Sequence, residues 1–174
     1  MRRRFAIAAL AIGALALPTA WAVTNFTGNT APPGAHYANG SSEPVCSVNQ
    51  STLTVSCTGT AISGVGNTDA TVLLSVSYSA TVQCRNHGGQ IVDVKTQSTT
   101  SSGSDSDTRV RNGTLTVAAI SATGPSDSNF TSRATCPNGN WTKELVAGSA
   151  AITSFTYTLT FNGFGEPVIT ITGP

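Results

Sequence analysis

Charge is scarce in this chain. Only 10% of its 174 residues are charged, with nine Lys plus Arg against eight Asp plus Glu, where an average soluble protein carries ~25%. So balanced a set leaves no basic footprint for a phosphate backbone, which argues against nucleic-acid binding. Histidine is also scarce, with two residues, His36 and His87. Acid–base chemistry and metal ligation therefore have little to draw on. There is no Cys-x-x-Cys pair and neither His has metal-ligand spacing, so no metal and no cofactor are expected. A Gly-x-Ser-x-Gly elbow, the strained turn that exposes a nucleophilic serine, is missing. No apolar run reaches the ~18 residues of a membrane helix, so no membrane span is expected.

Hydroxyls and glycine are plentiful: 27 Thr, 20 Ser and 17 Gly. Ser and Thr compete with the helix backbone for hydrogen bonds and Thr is stiff at Cβ, which argues against a helical bundle. The first 22 residues carry a different pattern. Arg2, Arg3 and Arg4 precede the apolar run Phe5 to Leu17, Pro18 ends it, and Ala20-Trp21-Ala22 supplies a small-x-small cleavage pattern. Residues 1–22 are thus expected to be a secretory signal peptide, cleaved after Ala22. The mature chain then keeps six basic residues against eight acids, a net charge of −2. Secreted or extracellular location follows as the expectation.

Four cysteines lie beyond the signal: Cys46, Cys57, Cys84 and Cys136. An even number in a small exported chain suggests two disulfides. Three pairings are possible. The favoured one joins Cys46–Cys57 across a hairpin and Cys84–Cys136 from a strand end to a long loop. Residues 23–43, with Pro32-Pro33 and no periodicity, suggest a flexible N-terminal arm, leaving 44–174 as a single domain.

Within that domain period-two alternation dominates. Over 70–84 the even positions run Val72, Leu74, Val76, Tyr78, Ala80, Val82, Cys84, and the odd positions are nearly all polar. That is a long antiparallel strand with one wet face. Leu53, Val55 and Cys57 make a shorter one, Asn86-His87-Gly88-Gly89 a turn, and 91–96 another strand. Ser98 to Asp107 is expected as a solvated loop. Asn112-Gly113 is a favoured hairpin pair, followed by Leu115, Val117 and Ala119. After a second loop over 123–140, strands at 151–161 (Phe155, Tyr157, Leu159, Phe161) and 167–172 end the chain. Seven to eight strands with no convincing helix suggest an all-β fold, a two-sheet antiparallel immunoglobulin-like sandwich.

Three segments together resemble a group of small secreted bacterial β-sandwich proteins of unknown function. They are Cys57-Thr-Gly-Thr-Ala-Ile-Ser-Gly-Val-Gly-Asn, Cys84-Arg-Asn-His-Gly-Gly and Cys136-Pro-Asn-Gly-Asn-Trp141, the last followed by a Tyr-x-Leu strand. The resemblance spans residues 46 to 161. It implies fold and secretion and transfers no catalytic residue.

Candidate chemistry is thin. A hydrolase base would have to be His36, in the arm, or His87, in a Gly-Gly turn. The carboxylates Glu43, Glu144 and Glu166 show no pairing suited to glycoside hydrolysis. Ser104-Asp105-Ser106-Asp107 is half of a calcium loop without its Gly turn or later Glu. Thr-x-Thr recurs at Thr52/Thr54, Thr114/Thr116, Thr156/Thr158/Thr160 and Thr170/Thr172, too irregularly for an ice-binding ladder. Trp141 suits packing against a disulfide or stacking on a sugar. The favoured expectation is a non-enzymatic binding or cell-envelope-associated module, with cell-wall polysaccharide or an extracellular protein as partner. The alternative is an extracellular protease inhibitor presenting Arg133-Ala134-Thr135-Cys136; a secreted hydrolase is a further one.

Overall fold

The computed structural model describes residues 20–103 and 108–174. The charged and apolar parts of the expected signal peptide and the Ser104–Asp107 motif therefore lie outside the described residues. In chain order the strands are β1 (Trp21–Thr24), β2 (His36–Tyr37), β3 (Cys46–Asn49), β4 (Thr54–Cys57), β5 (Thr60–Ser63), β6 (Ala70–Arg85), β7 (Ile91–Gly103), β8 (Thr108–Arg111), β9 (Thr114–Val117) and β10 (Ile120–Thr123). A short helix, α1 (Asp127–Arg133), precedes β11 (Thr142–Leu145), β12 (Ala151–Phe161) and β13 (Ile169–Gly173).

The long strand β6 organises the molecule. Its even positions from Ala70 to Cys84 are all buried, as alternation requires. Along one edge β7 pairs with it from Leu73 to Arg85; the other edge is shared by β12 (Ala70 to Ser79) and β11 (Val82 to Arg85). Beyond β12 lie β13 and then β1, completing a six-stranded antiparallel sheet. Two smaller antiparallel sheets, β10-β4-β3 and β2-β5-β9-β8, complete the strands. Their buried side chains, Val55, Ile62, Leu115 and Val117 among them, join one core cluster with Leu74, Val76, Tyr157 and Ile171 of the large sheet. The chain is thus mostly β, with several antiparallel sheets.

Thirteen strands appear among the described residues, more than the seven to eight expected. One cause is bending. The two small sheets meet where β4 passes to β5 at Thr58-Gly59 and β10 adjoins β9 at Ala118-Ala119, so each run that alternation joins is split in two. A Cβ at Gly59 would lie 2.5 Å from the Val117 carbonyl oxygen, so only glycine lets the backbones approach this closely. The bend also resets the phase, leaving Ala119 exposed rather than inward with Leu115 and Val117.

Three further expectations are corrected. The loop placed at 98–107 is strand up to Gly103, because Thr96 and Ser98 occupy the buried face of β7. Hydroxyls on an inner face erase the apolar alternation, while pairing to β6 holds the strand. Within 123–140 there is a helix. Ser126 sits at its N-cap in an extended conformation, Asp127 and Arg133 lie at the dipole-favoured ends, and fully buried Phe130 anchors it. Finally, residues 23–43 are packed against the domain. Thr30, Ala31 and Ala35 are buried, Ala38 N–H donates to the Ala61 carbonyl at 2.9 Å, and Phe26 meets Tyr37 edge-on at 5.0 Å. Elements of two to four residues are too short to show a period, which is why this segment looks structureless in sequence. The Asn112-Gly113 hairpin has positive φ at both residues, 50° and 73°, the geometry of a type I′ turn.

Candidate binding cleft

The two disulfides join Cys46 to Cys57 and Cys84 to Cys136. Cys46 and Cys57 lie directly opposite each other on β3 and β4, with Cα atoms 4.0 Å apart. The second bridge reaches from the buried end of β6 to the segment after α1. It holds α1 and the 134–141 loop near the edge where β11 pairs with β6. Asn138 shapes that loop: its Oδ1 accepts from the Asn140 N–H at 3.1 Å and its carbonyl from the Trp141 N–H at 3.4 Å.

A cleft of about 490 Å³ opens here, lined by Ser132, Thr135, Asn138, Trp141 and Lys143 beside Cys136. Trp141 is half-buried and lines the cleft. Register sorts the neighbouring charges. Lys143 is opposite Cys84 and Leu145 opposite Val82, whereas Glu144 is opposite Gln83, which in turn faces Asp93 on β7. Directly opposed residues share a sheet face. Lys143 thus lies on the side of the buried cysteine, and both carboxylates lie on the other side. The lining holds one cation and no acid.

A second cleft, of about 710 Å³, lies between the β3–β4 turn and the β11–β12 loop, lined by Leu53, Asp127, Leu145 and Gly148 among others. Its one amide, Gln50, is tied at both ends to Ile152: its Nε2 donates to the Ile152 carbonyl at 3.1 Å and its Oε1 accepts from the Ile152 N–H at 2.8 Å. Asp127 is left as its sole ionisable wall group. With no aromatic and few convergent polar groups, it is the poorer recognition site.

The other sequence candidates do not converge. His36 is exposed, its Nδ1 2.8 Å from the Gly34 carbonyl. His87 is exposed in a turn closed by the Gly89 N–H to the Asn86 carbonyl at 3.1 Å. Glu43 accepts from the Thr24 hydroxyl at 2.5 Å, while Glu144 and Glu166 are exposed on separate elements. No group of three His, Cys, Asp or Glu able to hold a metal occurs among the described residues. In the Arg133-Ala134-Thr135-Cys136 segment Arg133 ends α1, Ala134 is extended and 3% exposed, and Arg133 and Thr135 are exposed. The threonine pairs are scattered over three sheets. Only Thr156 with Thr172 and Thr158 with Thr170 stand side by side.

Another polar cluster, missed in sequence, ties down the N-terminal segment. Thr24 Oγ1 lies 2.8 Å from the Tyr37 hydroxyl and donates to Glu43. Burial pushes the Tyr37 hydroxyl above its usual pKa, opposed by the Thr24 hydrogen bond and assisted by Glu43. Tyr157 is fully buried on β12, and its hydroxyl has no hydrogen-bond partner among the described residues. Its pKa is raised by burial and, to a lesser degree, by Tyr37. Thr24, Tyr37 and Glu43 thus hold the N-terminal segment through their side chains. Among the described residues no helix is long and apolar enough to cross a membrane. No family model, no curated protein and no solved structure matches this chain.

Proposed function

We propose that this protein is an exported, non-enzymatic binding module whose recognition site is the Trp141 cleft, with cell-wall polysaccharide as its ligand. One observation carries the reading: a half-buried tryptophan lines a cleft together with four hydrogen-bonding residues, Ser132, Thr135, Asn138 and Lys143. A ring face covers the apolar side of a pyranose, and side-chain amides and hydroxyls fix its orientation. The scaffold supports it, because a disulfide pins the loop in place before a ligand arrives and so lowers the entropic cost of binding. Export is supported by the basic and apolar N-terminal pattern and by two disulfides with no free cysteine among those described. Packing of the two small sheets and the large one into a common core supports an immunoglobulin-like sandwich, as does the resemblance to small secreted bacterial proteins.

The native protein should be retained on insoluble cell-wall polysaccharide. Trp141→Ala should weaken that retention about tenfold or more, as loss of an aromatic anchor contributing ~1.4 kcal/mol would. Equal retention of both proteins, or retention of neither, overturns the assignment.

A further inference from the structure

The Trp141 cleft has a sign of charge as well as a shape. Its lining carries Lys143 and no carboxylate, and the strand register turns the nearby acids, Glu144 and Asp93, to the opposite face. The last residue of α1, Arg133, is a second exposed cation, set in sequence between the lining residues Ser132 and Ala134. In a chain with so few charges, an aromatic ring that shares its cleft with one lysine and no carboxylate favours a ligand that brings its own negative charge. The hydrogen-bonding groups around it (Ser132, Thr135 and Asn138) suit a polyhydroxylated ring, and a lysine ammonium is a point charge for a carboxylate substituent.

We infer that the ligand is an acidic glycan, a chain of sugars bearing ring carboxylates, whose uronate carboxylate sits at Lys143 while a ring covers Trp141. This rests on the binding-module reading of the same cleft. A neutral polysaccharide would leave Lys143 without a partner and gain nothing from the segregation of the acids. The contact is exposed, so its worth is that of a surface ion pair, up to about fivefold in affinity, and it weakens with salt.

The test uses the full chain carrying Trp21→Phe, in which Trp141 is the single tryptophan, so its fluorescence reports the site directly. Oligogalacturonate and its methyl ester share one sugar backbone, and esterification removes the carboxylate charge. The free acid should bind about fivefold tighter than the ester. In Lys143→Gln, or in high salt, the two should become equal. Equal binding of acid and ester by the native protein overturns the acidic-glycan assignment and leaves the binding-module reading standing. No fluorescence response to the acid, to the ester or to a panel of neutral glycans overturns both.

Discussion

The two disulfides cross-link regions of very different kinds. Cys46–Cys57 joins residues 11 apart that the β3–β4 ladder already sets opposite each other. Cys84–Cys136 joins residues 52 apart, one at a strand end and the other beyond a seven-residue helix. A bridge across a ladder adds covalent insurance to a geometry that main-chain hydrogen bonds specify. A bridge from sheet to loop is what specifies the geometry. The cleft lies at the second, which teaches that in this fold the proposed binding surface depends on the bridge with the least help from secondary structure.

Removing each bridge separates the two roles. In the loop-closure picture the longer link stabilises by about 4 kcal/mol and the shorter by about 3 kcal/mol. The Cys84→Ala, Cys136→Ala double variant should therefore show the larger loss by denaturant unfolding. It should also shift Trp141 emission to the red and lose glycan retention, since the 134–141 loop is no longer held to β6. The Cys46→Ala, Cys57→Ala variant should lose stability yet keep the native emission and retention. The comparison breaks if the second variant loses the cleft and the first keeps it.

A third region, the segment over residues 24–43, is held with no bridge at all, by packing and by the Thr24, Tyr37 and Glu43 side chains. Here the expected effects are smaller. Tyr37 and Tyr157 both have pKa values raised in the folded state. Their neutral forms are therefore favoured by folding, and that contribution is fully present below the unfolded tyrosine pKa of ~10 and lost as pH rises above it. Denaturant midpoints should fall between pH 9 and pH 11. Tyr157→Phe should flatten that fall and change stability at neutral pH by about 1 kcal/mol or less, because the lost hydroxyl had no partner. A midpoint that rises with pH, or a Phe variant as alkali-sensitive as the native chain, would show that these hydroxyls do not couple to folding.

Legibility followed the same division. Where main-chain pairing and apolar alternation coincide, as along β6 and at Phe155, Tyr157, Leu159 and Phe161 of β12, the inner face could be named residue by residue. Even there a bulge between Ile152 and Ser154 shifts the start of β12 out of phase. The inner-face hydroxyls Thr96 and Ser98 hid most of β7, since a buried hydroxyl in a strand and an exposed one in a loop look alike in sequence. The helix was hidden by weak helix formers. Its signals, Ser126 at the cap with Asp127 and Arg133 at the ends, are those of any polar loop until Phe130 is known to be buried. Trp141 stood out as a candidate because of its nearness to Cys136. What sequence did not reveal is that Lys143 shares its cleft while Glu144 faces away, because that depends on the pairing of β11 with β6.

The most direct test is amide hydrogen exchange on the native protein, with and without a saturating acidic polysaccharide. Added protection should map to residues 132–143, the loop and the first part of β11 that line the Trp141 cleft. Protection concentrated instead on β12 and β13, beneath the hydroxyl-bearing outer face of Thr156, Thr158, Thr170 and Thr172, would contradict the account.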